Sequence, residues 1–499
     1  MRKWPAALAM ALALSPAPGV LAREPGAAPV TDTTWMAVTL AGRKIGHLRI
    51  DRQVDGAQVT TTQDLQLELN RSGKTIPMAV LTRSVETLDG QPLGFYSRST
   101  LSASDSIVDG QRQADGTYLV TTTVAGVASR TALEWPAGAL LSDGQRQAMA
   151  RASGHAGHYL INLFDTTSQD VAAVDIDVLG DERVVLPEGT ESLNHQREVL
   201  QTPRGVQRMD LWINERGETR KGSLEMLGHE LDMVACSQAC AMAPTQDIDM
   251  LRAAMIDAPQ ALSAAMRRND LRYVIHVNDG DAQPAITTDE QRVTRLEHGD
   301  WQVDVGNAVA GGQPPPRPQD TEANAWVQSD APDIRALADQ AITGAEGDRQ
   351  KMVQLRDFVS EYIPPNGRDI GYASALEVVK LRSGDCKEYA VLLTALARAE
   401  HIPARMVTGL VYADRYAGST RVFVPHAWVQ AWVDGRWQSF DAALGHFDST
   451  HIALDSGDGD PWHFFNMSNL FGQMRIAQVG TAPELAPTVM GGAVAARDW

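Results

Sequence analysis

Cysteine is scarce in this chain, with three residues in 499, at positions 236, 240 and 386. A disulfide-stapled scaffold is excluded, and 43% hydrophobic residues is an ordinary globular composition that builds cores without staples. Positive charge is in deficit, 44 Lys and Arg against 62 Asp and Glu, for a formal net charge of −18. Such an acidic surface disfavours nucleic acid and anionic membranes as partners. After the first residues no stretch approaches the roughly twenty apolar residues that a membrane-spanning helix needs, so no span is expected. No histidine or second cysteine pair stands near Cys236 and Cys240 at a zinc-ligand spacing, and no metal or cofactor is expected there.

What is present begins with MRKWPAALAMALALSPAPGVLAREP, where Arg2 and Lys3 precede a short apolar run and Val20-Leu21-Ala22. This pattern predicts a signal peptide over residues 1–22 and an exported protein, periplasmic or extracellular. No cysteine follows the cleavage site to carry a lipid. In an oxidising compartment the pair Cys236 and Cys240, in VACSQACAMAP, is expected to form a local disulfide. Cys386 is then the odd thiol, a liability in an exported protein unless it is buried or chemically used.

From Thr34 to about Leu231 the apolar pattern has mostly period two, as in Leu65-Gln66-Leu67-Glu68-Leu69. Asp-Gly turn signals at 55–56, 89–90 and 115–116 punctuate it. The expectation is a mainly antiparallel β domain over residues 32–245, a meander or curved half-barrel, followed by a small α+β segment over 246–309. Five prolines and no periodicity mark residues 310–332 as a linker. A second domain is expected over 333–480, with a tail over 481–499. Within it Met352, Leu355, Phe358, Val359 and Tyr362 recur at helical spacing, and a shorter helix is expected from Ser374 to Lys380.

The chemistry-bearing stretch is SGDCKEYA, residues 383–390. Asp385 as N-cap and Glu388 three residues on form a capping box, and Tyr389, Leu392, Leu393, Leu396 and Ala397 make the apolar stripe of a helix. Cys386 then sits in the first turn, where unpaired N–H groups and the helix dipole favour an anion. Taken alone, a cysteine there is more often a small packing residue than a nucleophile. Forty residues on, in PHAWVQAWVDGRWQSFDAALG, Asp434-Gly435 predicts a two-residue hairpin turn that pairs Val433 with Arg436 and, by extension, Trp428 with Asp441. In that register His426 and Asp441 share one face as diagonal neighbours about 7 Å apart. A thiol, an imidazole and a carboxylate so placed suit nucleophilic acyl transfer, with base and orienting group at hand.

The stretches SGDCKEYAVLLTALARAEHIPARMVTGLVY and PHAWVQAWVDGRWQSFDAAL resemble the bacterial transglutaminase-like superfamily of cysteine enzymes over about residues 330–475. Its motifs are Gly-Asp-Cys at a helix start, Gly-Ile-Pro-Ala-Arg at the helix end, a His-Ala-Trp strand and a Trp followed by Asp-Pro-Thr. The resemblance implies an α+β fold with a papain-like core behind the β-rich domain, Cys386 as nucleophile, His426 as base and Asp441 as the third member. It also implies an enzyme acting on a protein or peptide through a thioester, hydrolysis being favoured over transfer to an amine. The alternative is a silent peptide- or cell-wall-binding module on the same fold. Two departures stand out: His401 replaces the glycine at the helix end, and Ala442-Ala443 replaces Pro-Thr, which should loosen the loop after Asp441. Asn366 and Tyr372 are open candidates for a second oxyanion donor. His446, His451 and His463 lack the i, i+4 spacing of a helical metal site, and Asp455–Asp460 lacks the spacing and glutamate of an EF-hand loop.

Overall fold

The computed structural model describes residues 30–482 apart from 72–73, 102–103, 154–155, 203–204, 279–282, 308, 310–311, 365–370 and 462–467. The leader expected over 1–22 and nearly all of the tail expected over 481–499 lie outside the described residues.

Period-two patterning does what it predicts. Fifteen strands between Val30 and Cys236 form one sheet in which neighbours in sequence pair antiparallel, apart from a short parallel pairing at one edge; the first strand, Val30–Leu40, pairs the last, His229–Cys236, and the consecutive strands Val127–Leu133 and Ala139–Leu140 are its two edges. Gly56, Gly90 and Gly116 take positive φ at the three Asp-Gly sites, each between consecutive strands. The sheet curls around a helix, Ser142–Ala152, that periodicity did not announce. Its N-terminal N–H groups are capped from another strand: the Glu86 carboxylate accepts from Asp143 and Gly144 at 2.8 and 2.9 Å. Arg52 from one half of the sheet reaches Asp143, and Gln196 from the other half donates to the Met149 carbonyl. Cys236 and Cys240 are disulfide-bonded.

The second half of the chain is built from helices packed on a five-stranded sheet. Helices Pro332–Ala341, Asp348–Tyr362 and Ala375–Leu381 surround the helix Cys386–Ala399, whose residues 387 to 398 are all buried. The sequence predicts one apolar stripe there; small residues such as Ala390, Ala395 and Ala397 let neighbours close on every side. Strands Ala404–Tyr416 and Ser419–Val433 lie beneath it, with Arg436–Phe440 and Ile452–Gly457 on either side.

Tertiary pairing redraws the boundaries expected between 246 and 332. The strand Leu271–Val277 pairs the strand Met474–Thr481, and Ile256-Asp257 pairs Phe423 and Val422. Segment 246–309 therefore shares a core with the 333–480 region, joining Leu271, Tyr273 and Ile275 to Leu410, Phe423 and Phe471. The proline-rich segment is no free linker in its described part. Trp326 and Val327 are buried, the Pro314 carbonyl accepts from the Trp437 indole, and the Glu322 carbonyl accepts from Arg398. Proline removes backbone donors; side chains of the neighbouring core satisfy the remaining carbonyls and hold the segment as a strap.

Candidate active site

Local chemistry fixes the start of the 386–399 helix. The Asp385 side chain accepts from the Lys387 N–H at 3.2 Å, and the Glu388 carboxylate accepts from the Asp385 N–H at 2.9 Å, the reciprocal cap expected from the sequence. Gly384 makes room for it, since its φ is +153° and an added Cβ would lie 2.3 Å from the Glu388 Cβ. Lys387 pairs with Asp385 at 2.7 Å and Glu388 at 3.2 Å, and lies 5.1 Å from the Tyr372 ring centroid. Its ammonium offsets the Asp385 carboxylate, which would otherwise set negative charge beside the Cys386 sulfur. Burial, aided by the nearby Asp385 charge, still pushes Glu388 up to about 8.

The hairpin places the partners. Asp434 and Gly435 both have positive φ, Val433 pairs Arg436 and Trp432 pairs Trp437, which is the predicted register. His426 and Asp441 converge on one face, with His426 Nε2 2.8 Å from Asp441 Oδ2. The Cys386 sulfur lies 3.9 Å from Asp385 Oδ1, near enough to the imidazole to act on its proton affinity. Burial disfavours the charged imidazole, yet the Cys386 sulfur and the Asp441 carboxylate outweigh it and push His426 up to about 10. Burial likewise opposes ionisation of Asp441, but hydrogen bonds from His426 and His451 hold it well below the usual carboxylate range.

The loop after Asp441 is tied, contrary to expectation. Asp441 Oδ1 accepts from the Ala443 and Leu444 N–H groups at 2.8 and 3.0 Å, donors that an alanine at 443 supplies in full. The helix end is equally firm. His401 takes φ +59°, its N–H donates to the Arg398 carbonyl and the Ile402 N–H to the Ala397 carbonyl, a Schellman motif built on histidine where glycine is favoured.

His451 is the residue whose place in the site the sequence did not reveal. Its Nε2 lies 3.1 Å from Asp441 Oδ2 and its Nδ1 3.3 Å from Asp448 Oδ1, so two imidazoles share one carboxylate oxygen. Burial again opposes its charge, while Asp441 and Asp448 raise its proton affinity. The signal was the Asp448-Ser-Thr-His451 turn, in which Asp448 also accepts from Thr450, but nothing local says that the turn folds back on Asp441. Donor atoms of His426, Asp441 and His451 lie within 4.8 Å of one another, a set that could hold a metal ion only by giving up the hydrogen bonds that orient His426. His446 is exposed and contacts Asp448 and the Leu444 carbonyl, and His463 and Asn366 lie outside the described residues. Tyr372 shares a cavity wall with Cys386. Among the described residues no helix is long and apolar enough to cross a membrane.

Residues 335–442 match the sequence profile of the transglutaminase-like superfamily. Among curated proteins, the chain is similar to "Uncharacterized protein ML0607" of Mycobacterium leprae, 35% identical over 79 residues, which are 15% of this chain and 28% of that relative's length. Among solved structures, a β-barrel-like protein of the domain of unknown function DUF1849 from Brucella abortus aligns at 14% identity and TM-score 0.32, over 41% of this chain and 95% of its own. A presumed cysteine protease from Cytophaga hutchinsonii aligns at 15% identity and TM-score 0.25, over 44% of this chain and 84% of its own. With the Gly-Asp-Cys helix start, the His-Ala-Trp strand and the Asp441 turn all inside the matched span or at its edge, residues 335–442 are a domain of the transglutaminase-like superfamily.

Proposed function

We propose that this protein is an exported Cys-His-Asp enzyme that hydrolyses an amide bond of a protein or peptide substrate through a thioester. The observation that supports the reading is the 2.8 Å His426–Asp441 hydrogen bond, with the Cys386 sulfur near enough to raise the proton affinity of the imidazole. His426 takes the thiol proton, and the Cys386 sulfur bonds the carbonyl carbon while Asp441 keeps the ring oriented and stabilises its charge. As the C–N bond breaks, the imidazolium gives its proton to the departing amine. A water then loses a proton to His426, its oxygen attacks the thioester, and the acid leaves as the thiol re-forms. The Cys386 N–H at the start of the 386–399 helix suits the developing oxyanion.

The test uses a panel of exported-protein and cell-wall peptides, with and without an added primary amine, followed by mass spectrometry for product and acyl-enzyme. Cys386→Ala and His426→Ala are expected to abolish turnover with the fold retained, and Asp441→Asn to leave a residual activity reduced by up to about 10⁴-fold. Turnover persisting in Cys386→Ala refutes the reading. Equal peptide binding by wild type and Cys386→Ala, with no acyl-enzyme in either, favours the binding module instead.

A further inference from the structure

Between the large sheet and the transglutaminase-like domain lies a cavity of about 410 Å³, and Cys386 forms part of its wall. The opposite wall is one face of the hairpin made by strands Gln58–Arg71 and Lys74–Thr87. Its register sets Leu65 against Val80, Leu67 against Met78 and Leu69 against Ile76, three cross-strand apolar pairs. Side chains alternate along a strand, so all six share one face, and all six line the cavity. None of the six is fully buried, which leaves an apolar face under-packed in the folded protein. Met226, Met250 and Phe471 continue the apolar lining, and Tyr372, Pro425, Ala427 and the charged Lys387 accompany Cys386 on the side of the site.

We propose that this cavity receives the unbranched aliphatic chain of a lipid-modified substrate and presents the adjoining amide to Cys386; the inference rests on Cys386 being the nucleophile. An extended peptide brings one N–H and one C=O per residue, each of which needs a partner when buried. The cavity offers none along most of its hairpin wall. The outer edges of the hairpin strands are already paired up to Leu67 and from Met78 onward, the first with Arg43–Asp55 and the second with Pro92–Leu101, which leaves outer edge beyond those pairings only at the tip. On the sheet side the polar side chains at the wall are Asn70 and Gln207. An alkyl chain asks for no hydrogen bonds, and a cavity lined in this way favours an apolar guest over water. A methylene is close to a water in size, so at ~30 Å³ apiece the volume suits a chain on the order of a dozen carbons.

Alkylation reads the cavity without requiring turnover. N-ethyl- and N-dodecyl-iodoacetamide each form a sulfur–carbon bond at Cys386 and release iodide, the thiol proton passing through His426 to buffer. Second-order rates at Cys386, mapped by mass spectrometry and normalised to a cysteine peptide, are expected to be at least about 100-fold higher for the dodecyl reagent, because each buried methylene contributes a few-fold. Leu67→Trp, which fills the cavity, is expected to cut that advantage about tenfold or more. Equal normalised rates in the wild type overturn the proposal. A second measurement does not depend on any cavity variant folding: Cys386→Ala is titrated calorimetrically with N-dodecylacetamide and N-ethylacetamide. One-to-one binding of the dodecyl compound alone supports the cavity, and no binding overturns it. Failure of the enzymatic reading has a different signature, chain-length-dependent binding or alkylation in a protein that turns over no amide.

Discussion

At Asp441 one carboxylate does two jobs with separate oxygens. Oδ1 closes its own turn through Ala443 and Leu444, and Oδ2 takes both His426 and His451. The charge it places beside His426 favours imidazolium, the form that must give a proton to the departing amine. With His426 pushed up to about 10, kcat/KM for an amide is expected to hold through neutral pH and fall on an alkaline limb near that value. Removing the carboxylate removes a cause that raises the imidazole, so the sign is fixed: in Asp441→Asn the limb moves to lower pH. A pH–rate profile of the residual activity checks this, and a limb at the same pH in both proteins contradicts it.

Two positions at the ends of the 386–399 helix carry predictions of opposite sign. Gly384→Ala puts a methyl group against Glu388, which must leave the Asp385 N–H, so the first turn loses half of its cap. A cost of about 1–3 kcal/mol is expected, together with slower alkylation of Cys386, because the first turn positions the thiol. At the other end His401 stands exposed at φ +59°, where a side chain costs about 1–2 kcal/mol and glycine is free of strain. His401→Gly is expected to raise the stability by about 1 kcal/mol or less, since glycine's larger unfolded-state entropy offsets part of the gain. Denaturant titration of both variants checks the pair. A destabilised His401→Gly would show that the histidine side chain contributes more than its backbone strain costs. Both helix ends were legible in SGDCKEYA and AEHIPAR because caps are local, whereas the helix 142–152 was not, its cap being Glu86 from a distant strand.

Across the whole molecule, the large sheet and the remainder of the chain meet at backbone points that flank the cavity. The Tyr372 N–H donates to the Leu101 carbonyl, Asn70 bridges Asp249, and Gly228 meets Gly472 so closely that a Cβ on residue 472 would lie 1.6 Å from the Gly228 nitrogen. The cavity lies between these points, with Leu227 and Phe471 in its wall. Gly472→Ala is therefore expected to force the turn at 227–228 away from the helix Ser468–Gln473 and open the cavity. The dodecyl-over-ethyl advantage at Cys386 should fall several-fold, while the ethyl reagent, which makes little use of the cavity, changes less. A variant with both rates intact would mean that the two glycines part without disturbing the cavity.

Short-range physics made most of the site readable from the chain. The Asp434-Gly435 turn sets a register, the register puts His426 and Asp441 on one face, and the capping box starts a helix at Cys386; each step spans a few residues and depends on fixed geometry. The period-two pattern likewise determined the antiparallel sheet. Tertiary structure decided what depends on contacts across long stretches of chain. It returned the strand 474–481 to the strand 271–277, turned the proline-rich segment into a strap, folded His451 back on Asp441, and set the under-packed face of the 58–87 hairpin across a cavity from Cys386. Those pairings follow from how whole surfaces fit together, and side-chain spacing along a strand or a turn carries no record of which distant surface it will meet.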